Sequence, residues 1–159
     1  MSPGSVLVLR RSVTGFLLAF VAASVVTLIV QEVRGERGGA DLFGGEPSNG
    51  VLAVYFHRTK RCVSCRTMEE AARKTVEKDF SGPAAAGRLA WRLVNLDAPG
   101  NGRFADEYNL AASSVVLIEM KEGKPGRWKS LDKAWDLLEN ETALAEFFQK
   151  EVGAFLKGP

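Results

Sequence analysis

Two cysteines, Cys62 and Cys65, are the residues whose type and spacing most directly indicate chemistry. They are the only cysteines in the 159 residues, and just two residues separate them. A secreted scaffold held by disulfides uses many spaced cysteines, whereas a single C-x-x-C pair is typical of redox or metal chemistry. A four-cysteine zinc site needs a second pair, which this chain lacks. The pair therefore predicts a redox-active disulfide that needs no further cofactor, with soft-metal binding by the same two thiols left open.

The charges around this pair favour a thiolate. The spacing places Cys62 at the first turn of a helix, where unpaired backbone N–H groups and the helix dipole stabilise an anion. Such sites lower a cysteine pKa from about 8.5 into the range of about 3.5–7.5. Arg61 and Lys60 are predicted to stabilise the thiolate further. No acid lies among residues 58–66, which contain Arg58, Lys60, Arg61 and Arg66. This run suits an anionic substrate or partner surface.

The hydrophobic pattern predicts a βαβ start followed by a β-hairpin and a helix. Parallel pairing with a right-handed crossover is the default for such a start. His57 ends the first strand, where it is a candidate acid or base, or else a packing residue. The predicted strands cover residues 51–57, 91–97, 113–120 and 126–131, and the predicted helices start near residues 65, 103 and 141.

An apolar run precedes this domain. Residues 13–30 contain no charge, and a helix of that length spans roughly 27 Å, close to a hydrocarbon core of about 30 Å. We expect an uncleaved signal anchor over residues 13–30, with a cleaved signal peptide as the rival interpretation. The predicted organisation is then a cytoplasmic N-terminus (1–12), a transmembrane helix (13–30), a glycine-rich linker (31–50) and the domain (51–159). The domain is expected to face the periplasm or another extracytoplasmic side.

Three stretches resemble thioredoxin-like proteins: YFHRTKRCVSCRTMEE (55–70), WRLVNLDAPGN (91–101) and SSVVLIEMKEGKPGRWKSLDKAWDLL (113–138). More narrowly, they resemble the small membrane-anchored ArsF-type family of nitrophenyl compound nitroreductase subunits. The resemblance implies an α/β, thioredoxin-like fold: a mixed four-stranded sheet flanked by helices, with a dithiol site at Cys62 and Cys65. It also implies a link to arsenical handling and a polytopic membrane partner, either a thiol-relay protein or a permease. Through the family's loop position, Ser113 and Ser114 become candidates for facing the cysteines.

The chain departs from the thioredoxin pattern at three positions. Thioredoxins carry a cis-proline before the third strand, where this chain has Ser113 and Ser114. They bury an acid on the first strand, where this chain has Val54-Tyr55-Phe56, and a tryptophan precedes their first cysteine, where this chain has Arg61. The resemblance therefore predicts the fold more strongly than it predicts efficient disulfide reduction.

The leading functional hypothesis is an extracytoplasmic, membrane-anchored thiol–disulfide oxidoreductase acting on a protein disulfide partner. In this hypothesis Cys62 attacks the partner disulfide, and Cys65 resolves the mixed disulfide. One alternative is a module in which Cys62 and Cys65 bind arsenite, copper or a shared iron–sulfur cluster. Another is a redox-inactive subunit that docks on a membrane transporter. A formal net charge of +2 argues against a nucleic-acid partner.

Overall fold

The computed structural model describes residues 20, 21, 23–25, 42–45 and 47–158. The chain divides into two units, Met1–Arg37 and Gly38–Pro159. In the first unit the described residues are helical, and the Ser24 hydroxyl donates to the Phe20 carbonyl at 2.9 Å. The second unit carries the cysteine pair and the sheet.

The elements of the second unit follow the predicted order. The strands are β1 (Gly50–His57), β2 (Leu89–Asn95), β3 (Ser114–Lys121) and β4 (Lys124–Ser130). The helices are α1 (Val63–Lys74), α2 (Ser81–Ala85), α3 (Arg103–Glu107) and α4 (Glu141–Leu156). A π-helical turn (Thr75–Asp79) continues α1, and a 3₁₀ helix (Asp132–Leu137) follows β4.

The sheet is mixed and has the strand order β2-β1-β3-β4. β1 pairs with β2 in parallel, with Tyr55 opposite Leu93, and with β3 in antiparallel, with Tyr55 opposite Val115. β3 and β4 form an antiparallel hairpin, whose two turn residues Glu122 and Gly123 both have positive φ (52° and 74°). Positive φ at both positions is the type I′ geometry that matches strand twist. The predicted mixed four-stranded sheet is therefore confirmed.

Side chains of alternate residues on the central strands bury both faces of the sheet. Val51, Ala53 and Tyr55 of β1 face α1 and α4, where Met68 and Phe148 complete one core cluster. The next residues along β1 pack into a second cluster on the opposite face: Leu52, Val54 and Phe56, together with Phe104 and Tyr108. Because β1 is buried on both faces, it reads as a continuous apolar run rather than an alternating one.

The first long helix ends differently from its prediction. A Ser-Gly-Pro sequence such as Ser81-Gly82-Pro83 predicts the end of a helix, but these residues open the short helix α2 instead. The break lies one residue earlier, at Phe80, whose φ of −114° and ψ of 31° leave the helical region. Pro83 is compatible with α2 because the first turn of a helix has no partner for its N–H groups.

Part of the segment expected to be a flexible linker packs on the domain. Leu42 is only 8% exposed and belongs to the second core cluster, and the Phe43 ring meets the Phe104 ring edge-on at 6.4 Å. Farther along, the Ser48 carbonyl accepts from the Gly123 N–H at 2.8 Å. The glycine-rich composition predicts a flexible segment, but two of its apolar side chains, Leu42 and Phe43, pack against the domain.

The expected location at a membrane is corrected by the structure. Across the described residues, no helix combines the length and apolarity that a bilayer crossing requires. A crossing needs about 20 predominantly apolar residues, whereas α4, the longest described α-helix, has 16 and includes Glu146 and Lys150. The finding contradicts the predicted membrane anchor and the periplasmic placement that depended on it. Apart from residues 20, 21 and 23–25, the predicted span 13–30 lies outside the described residues, as do residues 1–12 and 31–41.

Replacing Leu42 by alanine tests whether the 42–49 segment belongs to the folded domain. Leu42→Ala should lower the free energy of unfolding by about 2 kcal/mol, because it leaves a cavity in the second core cluster. Leu93→Ala is the matched control, since Leu93 is 45% exposed and its truncation should cost less than about 1 kcal/mol. Denaturant unfolding measures both variants. Equal losses would mean that Leu42 does not contribute to the core.

Candidate functional site

The cysteine pair lies where the central strand leads into α1. Cys62 is the N-cap of α1 and has extended backbone angles, and its sulfur accepts a hydrogen bond from the Cys65 N–H at 3.1 Å. The two cysteines form a disulfide with their Cα atoms 5.1 Å apart. The N–H groups of the first turn therefore point toward the Cys62 sulfur, as the spacing predicted. A negative charge that forms on this sulfur is stabilised there.

The two sulfurs differ in their access to solvent. Cys62 is exposed and Val63 beside it is 84% exposed, whereas Cys65 is 8% exposed. A nucleophile or a partner thiol arriving from solvent therefore meets Cys62 first. This asymmetry follows from position, since Cys62 caps the helix while Cys65 lies within the first turn and faces the core beside Met68.

Tyr55 lies beneath the disulfide and was not predicted as a site residue. Its hydroxyl donates to the Cys65 carbonyl at 2.8 Å, and the residue is fully buried. Burial raises the pKa of Tyr55 to about 12, with a smaller rise from the Glu69 charge; Ser113 and the charge of Arg61 act in the opposite direction. Tyr55 therefore keeps its proton near neutral pH and holds the first turn of α1 against the central strand.

Arg61 makes two contacts that tie its charge to other groups. One guanidinium nitrogen, Nη1, pairs closely with the Glu69 carboxylate, and the other, Nη2, lies 2.7 Å from His57 Nε2. His57 Nδ1 lies 3.0 Å from the Arg58 carbonyl oxygen, which only accepts, so this contact assigns the ring proton to Nδ1. Arginine only donates, so His57 Nε2 accepts from Arg61. An acid or base role for His57 requires one of these contacts to break.

A second set of contacts anchors the loop between β1 and α1. The Asp97 carboxylate accepts from Arg58 Nη1 at 3.0 Å and from the Thr59 N–H at 2.7 Å. These two contacts, the backbone hydrogen bond first, hold the pKa of the Asp97 carboxyl below its usual value. Lys60, between the anchored residues and Arg61, is exposed and has no ion pair within the part of the chain that the structure describes.

The two candidate serines are buried but make different contacts. The Ser114 hydroxyl donates to the Asp132 carboxylate at 2.8 Å and lies 3.2 Å from the Ser130 hydroxyl, so it is engaged by β4 and the 3₁₀ helix. The Ser113 carbonyl accepts a hydrogen bond from Trp135 Nε1 at 3.1 Å. The Ser113 side chain hydrogen-bonds to Tyr55, which acts to lower the pKa of that tyrosine. Of the pair, only Ser113 is linked to the disulfide side, and the link runs through Tyr55.

Among residues 42–45 and 47–158, no group of three or more His, Cys, Asp or Glu side chains is close enough to hold a metal ion. Hydrogen bonds and one ion pair connect Tyr55, His57, Arg61 and Glu69 to the segment that carries the disulfide. Two of them, Tyr55 and Glu69, escaped the sequence analysis. For Glu69 a signal existed: it lies four residues after Cys65, on the same face of α1. For Tyr55 the signal was only the position on the first strand where the thioredoxin pattern buries an acid, and it did not distinguish Tyr55 from Val54 and Phe56.

Several solved thioredoxin structures are similar to this chain. No protein-family model matches the chain, and no curated protein matches it. Solved structures do match: oxidised mitochondrial thioredoxin 3 of Saccharomyces cerevisiae (18% identity, 72% of this chain and 88% of that chain, TM-score 0.39) and the thioredoxin of Fasciola hepatica (19%, 65% and 82%, TM-score 0.35). A third is the thioredoxin of Malassezia sympodialis, Mala s 13 (16%, 64% and 79%, TM-score 0.34).

The chain has a thioredoxin-like α/β fold. The TM-scores of these structural matches are low. The description of the fold therefore depends on the strand order β2-β1-β3-β4, on the helices that cover both faces of the sheet, and on the disulfide after β1. The comparisons give no support to the narrower ArsF-type resemblance, which stays a prediction.

The two tyrosines of the chain provide a test of burial at the site. The pKa of Tyr55 is raised from 10.0 to about 12, and burial also raises the pKa of Tyr108. The folded protein therefore binds these protons more tightly than the unfolded chain, so the corresponding stability is present below pH 10 and is lost as the pH rises toward 12. Tyrosinate absorbance should stay low in the native protein midway through that range and rise on unfolding in guanidinium. Ionisation of both tyrosines near pH 10 in native protein would contradict the buried placement.

Neutralising Glu69 tests how strongly the Arg61 charge stabilises the Cys62 thiolate. In the reduced protein, Glu69→Gln should lower the Cys62 pKa by about half a unit or more, because the arginine cation next to Cys62 loses its compensating anion. Glu70→Gln is the matched control: Glu70 is the exposed neighbour and has no ion pair among the described residues. The rate of iodoacetamide alkylation against pH, with mass mapping of Cys62 and Cys65, gives the pKa. The same shift in both variants would show that Glu69 has no special coupling to Cys62.

Proposed function

We propose that this domain is a thiol–disulfide oxidoreductase of thioredoxin type. The observation that carries the proposal is the disulfide between an exposed Cys62 at the N-cap of α1 and a buried Cys65 one turn further. A disulfide that only stabilises a fold has no need for an exposed sulfur at a helix N-terminus. This placement gives one sulfur that a partner can reach and one that it cannot.

The proposed reaction moves two electrons between this pair and a partner disulfide. In the reduced protein the Cys62 thiolate attacks one sulfur of the partner disulfide, forming a mixed disulfide and releasing one partner thiolate. Cys65 then loses its proton and attacks the Cys62 sulfur. The Cys62–Cys65 disulfide forms, the second partner thiolate leaves, and the partner has gained the two electrons that the dithiol lost. The reverse sequence oxidises a partner dithiol.

The fold assists these steps at identifiable atoms. The first-turn N–H groups, including that of Cys65, stabilise charge on the Cys62 sulfur when it attacks or leaves. The Tyr55–Cys65 hydrogen bond fixes the backbone of the resolving cysteine. Tyr55 cannot take the Cys65 proton at neutral pH, because its own pKa lies near 12 and its hydrogen is already donated. The Cys65 proton therefore leaves to water or to the departing partner thiolate.

Trapping tests the proposed order of attack. Cys65→Ser, incubated with a peptide that carries an internal disulfide, should accumulate a stable mixed disulfide at Cys62, because the resolving thiol is absent. Cys62→Ser is the matched control and should form at least about tenfold less adduct, since its remaining thiol is buried. Mass spectrometry without reductant measures both. Equal adducts, or none in Cys65→Ser, would contradict the proposed function; arsenite binding without any exchange would instead favour the soft-ligand module.

A further inference from the structure

The surface around the exposed cysteine has a particular composition. We define the Cys62 surface as Lys60, Cys62, Val63 and Arg66. All four residues are exposed, and the Arg66 backbone N–H donates to the Cys62 carbonyl at 3.2 Å. Cys62 and Arg66 are four residues apart, and Val63 and Arg66 are three apart, so all three adjoin on one face at the start of α1. Close to Cys62 in sequence, one apolar residue and two cations are thus exposed together with it.

The cations near this surface fall into two groups. Three of them have a carboxylate partner: Arg58 with Asp97, Arg61 with Glu69, and Arg73 with Glu77 at 2.6 Å. Lys60 and Arg66, the two cations of the Cys62 surface, have no ion pair with any residue that the structure describes. Among these five cations, the two without a carboxylate partner are therefore those of the Cys62 surface.

One nearby acid opposes this charge. Glu70 is exposed and lies four residues after Arg66 on α1, in an open depression that Arg61, Arg66, Glu69 and Arg73 also line. Arg66 and Glu70 form no ion pair in the structure, although the same spacing pairs Arg73 with Glu77. Arg66 is free to turn toward a partner at Cys62.

We propose that the Cys62 surface docks protein segments in which acidic residues flank the disulfide-bearing cysteine. This inference rests on the proposed function, because the docked segment is the disulfide substrate. Carboxylates of the segment pair with Lys60 and Arg66, while Val63 contacts the apolar atoms next to the partner sulfur. Complementary charge at the rim of an interface acts mainly on the rate of encounter and on partner choice. Acidic substrates are thereby selected over basic ones at the step that forms the mixed disulfide.

Competition between model substrates tests the proposal. Three peptides with the same internal disulfide, flanked by glutamate, serine or lysine, are mixed with reduced protein, and the rate of mixed-disulfide formation is measured by acid quench and mass spectrometry. At low ionic strength the glutamate peptide should react about tenfold or more faster than the lysine peptide. The difference should shrink as added salt shortens the Debye length below about 10 Å. A rate ratio near one, or a faster lysine peptide, would overturn the proposal.

Charge reversal locates the effect on the surface. Arg66→Glu should reduce the glutamate-to-lysine rate ratio several-fold. Lys124→Glu makes the same change in net charge at the start of β4, where Lys124 pairs with Lys121 at the end of the sheet away from the disulfide, and it should leave the ratio unchanged. Any change that Arg66→Glu causes in Cys62 reactivity affects all three peptides alike, so the ratio is insensitive to it.

The possible results distinguish acidic docking from the oxidoreductase function on which it rests. Exchange with all three peptides at similar rates supports the oxidoreductase and overturns acidic docking. An equal fall of the ratio in Arg66→Glu and Lys124→Glu would indicate net charge rather than a docking surface, and it also overturns the proposal. Absence of exchange with every peptide, the serine peptide included, contradicts the proposed function and acidic docking with it.

Discussion

The hydrogen bond from the Tyr55 hydroxyl to the Cys65 carbonyl is the contact on which the geometry of the site depends. Tyr55 belongs to the central strand, paired on both sides, so its hydroxyl is a fixed point in the fold. The acceptor is the carbonyl of Cys65. Leaving the buried Tyr55 hydroxyl without an acceptor costs about 1–3 kcal/mol, so the first turn of α1 is held against β1 next to the disulfide. A phenol makes this contact without charge.

The effect of the Arg61 charge on Cys62 depends on the groups that contact Arg61. From the sequence, a cation beside Cys62 with no acid among residues 58–66 predicts thiolate stabilisation. In the fold, Glu69 reaches back along α1 to neutralise it, and His57 accepts from its other nitrogen. Arg61 thus connects the end of β1 to α1. The N–H groups at the helix N-terminus, unlike Arg61, then act on Cys62 with no anion paired against them.

The fold was more predictable than the site for a physical reason. Burial on two faces gives β1 its apolar run, and the Cys62–Cys65 spacing places the pair at a helix start; both signals are local in sequence. The partners of the site are not local. Ser114 meets Asp132, Arg58 meets Asp97, and Tyr55 meets Cys65 only after the strands pair. Leu42 was missed because its glycine-rich neighbours concealed a core position, and His57 was identified as a candidate without its contact to Arg61.

Disulfide exchange places opposite demands on the two cysteines, and the start of α1 meets both. The resolving cysteine must be held within reach of its partner sulfur, and Cys65 is buried, bonded at its carbonyl, and seated one turn inside the helix. The attacking cysteine must be reached by a bulky substrate, and Cys62 caps the helix beside an exposed valine. The paired cations around the site stiffen the loop that carries Cys62, since Asp97 and Glu69 anchor the residues before it. A cation committed to such an anchor is less available to a substrate, so the proposed docking assigns partner choice to Lys60 and Arg66, two cations that have no ion pair among the described residues.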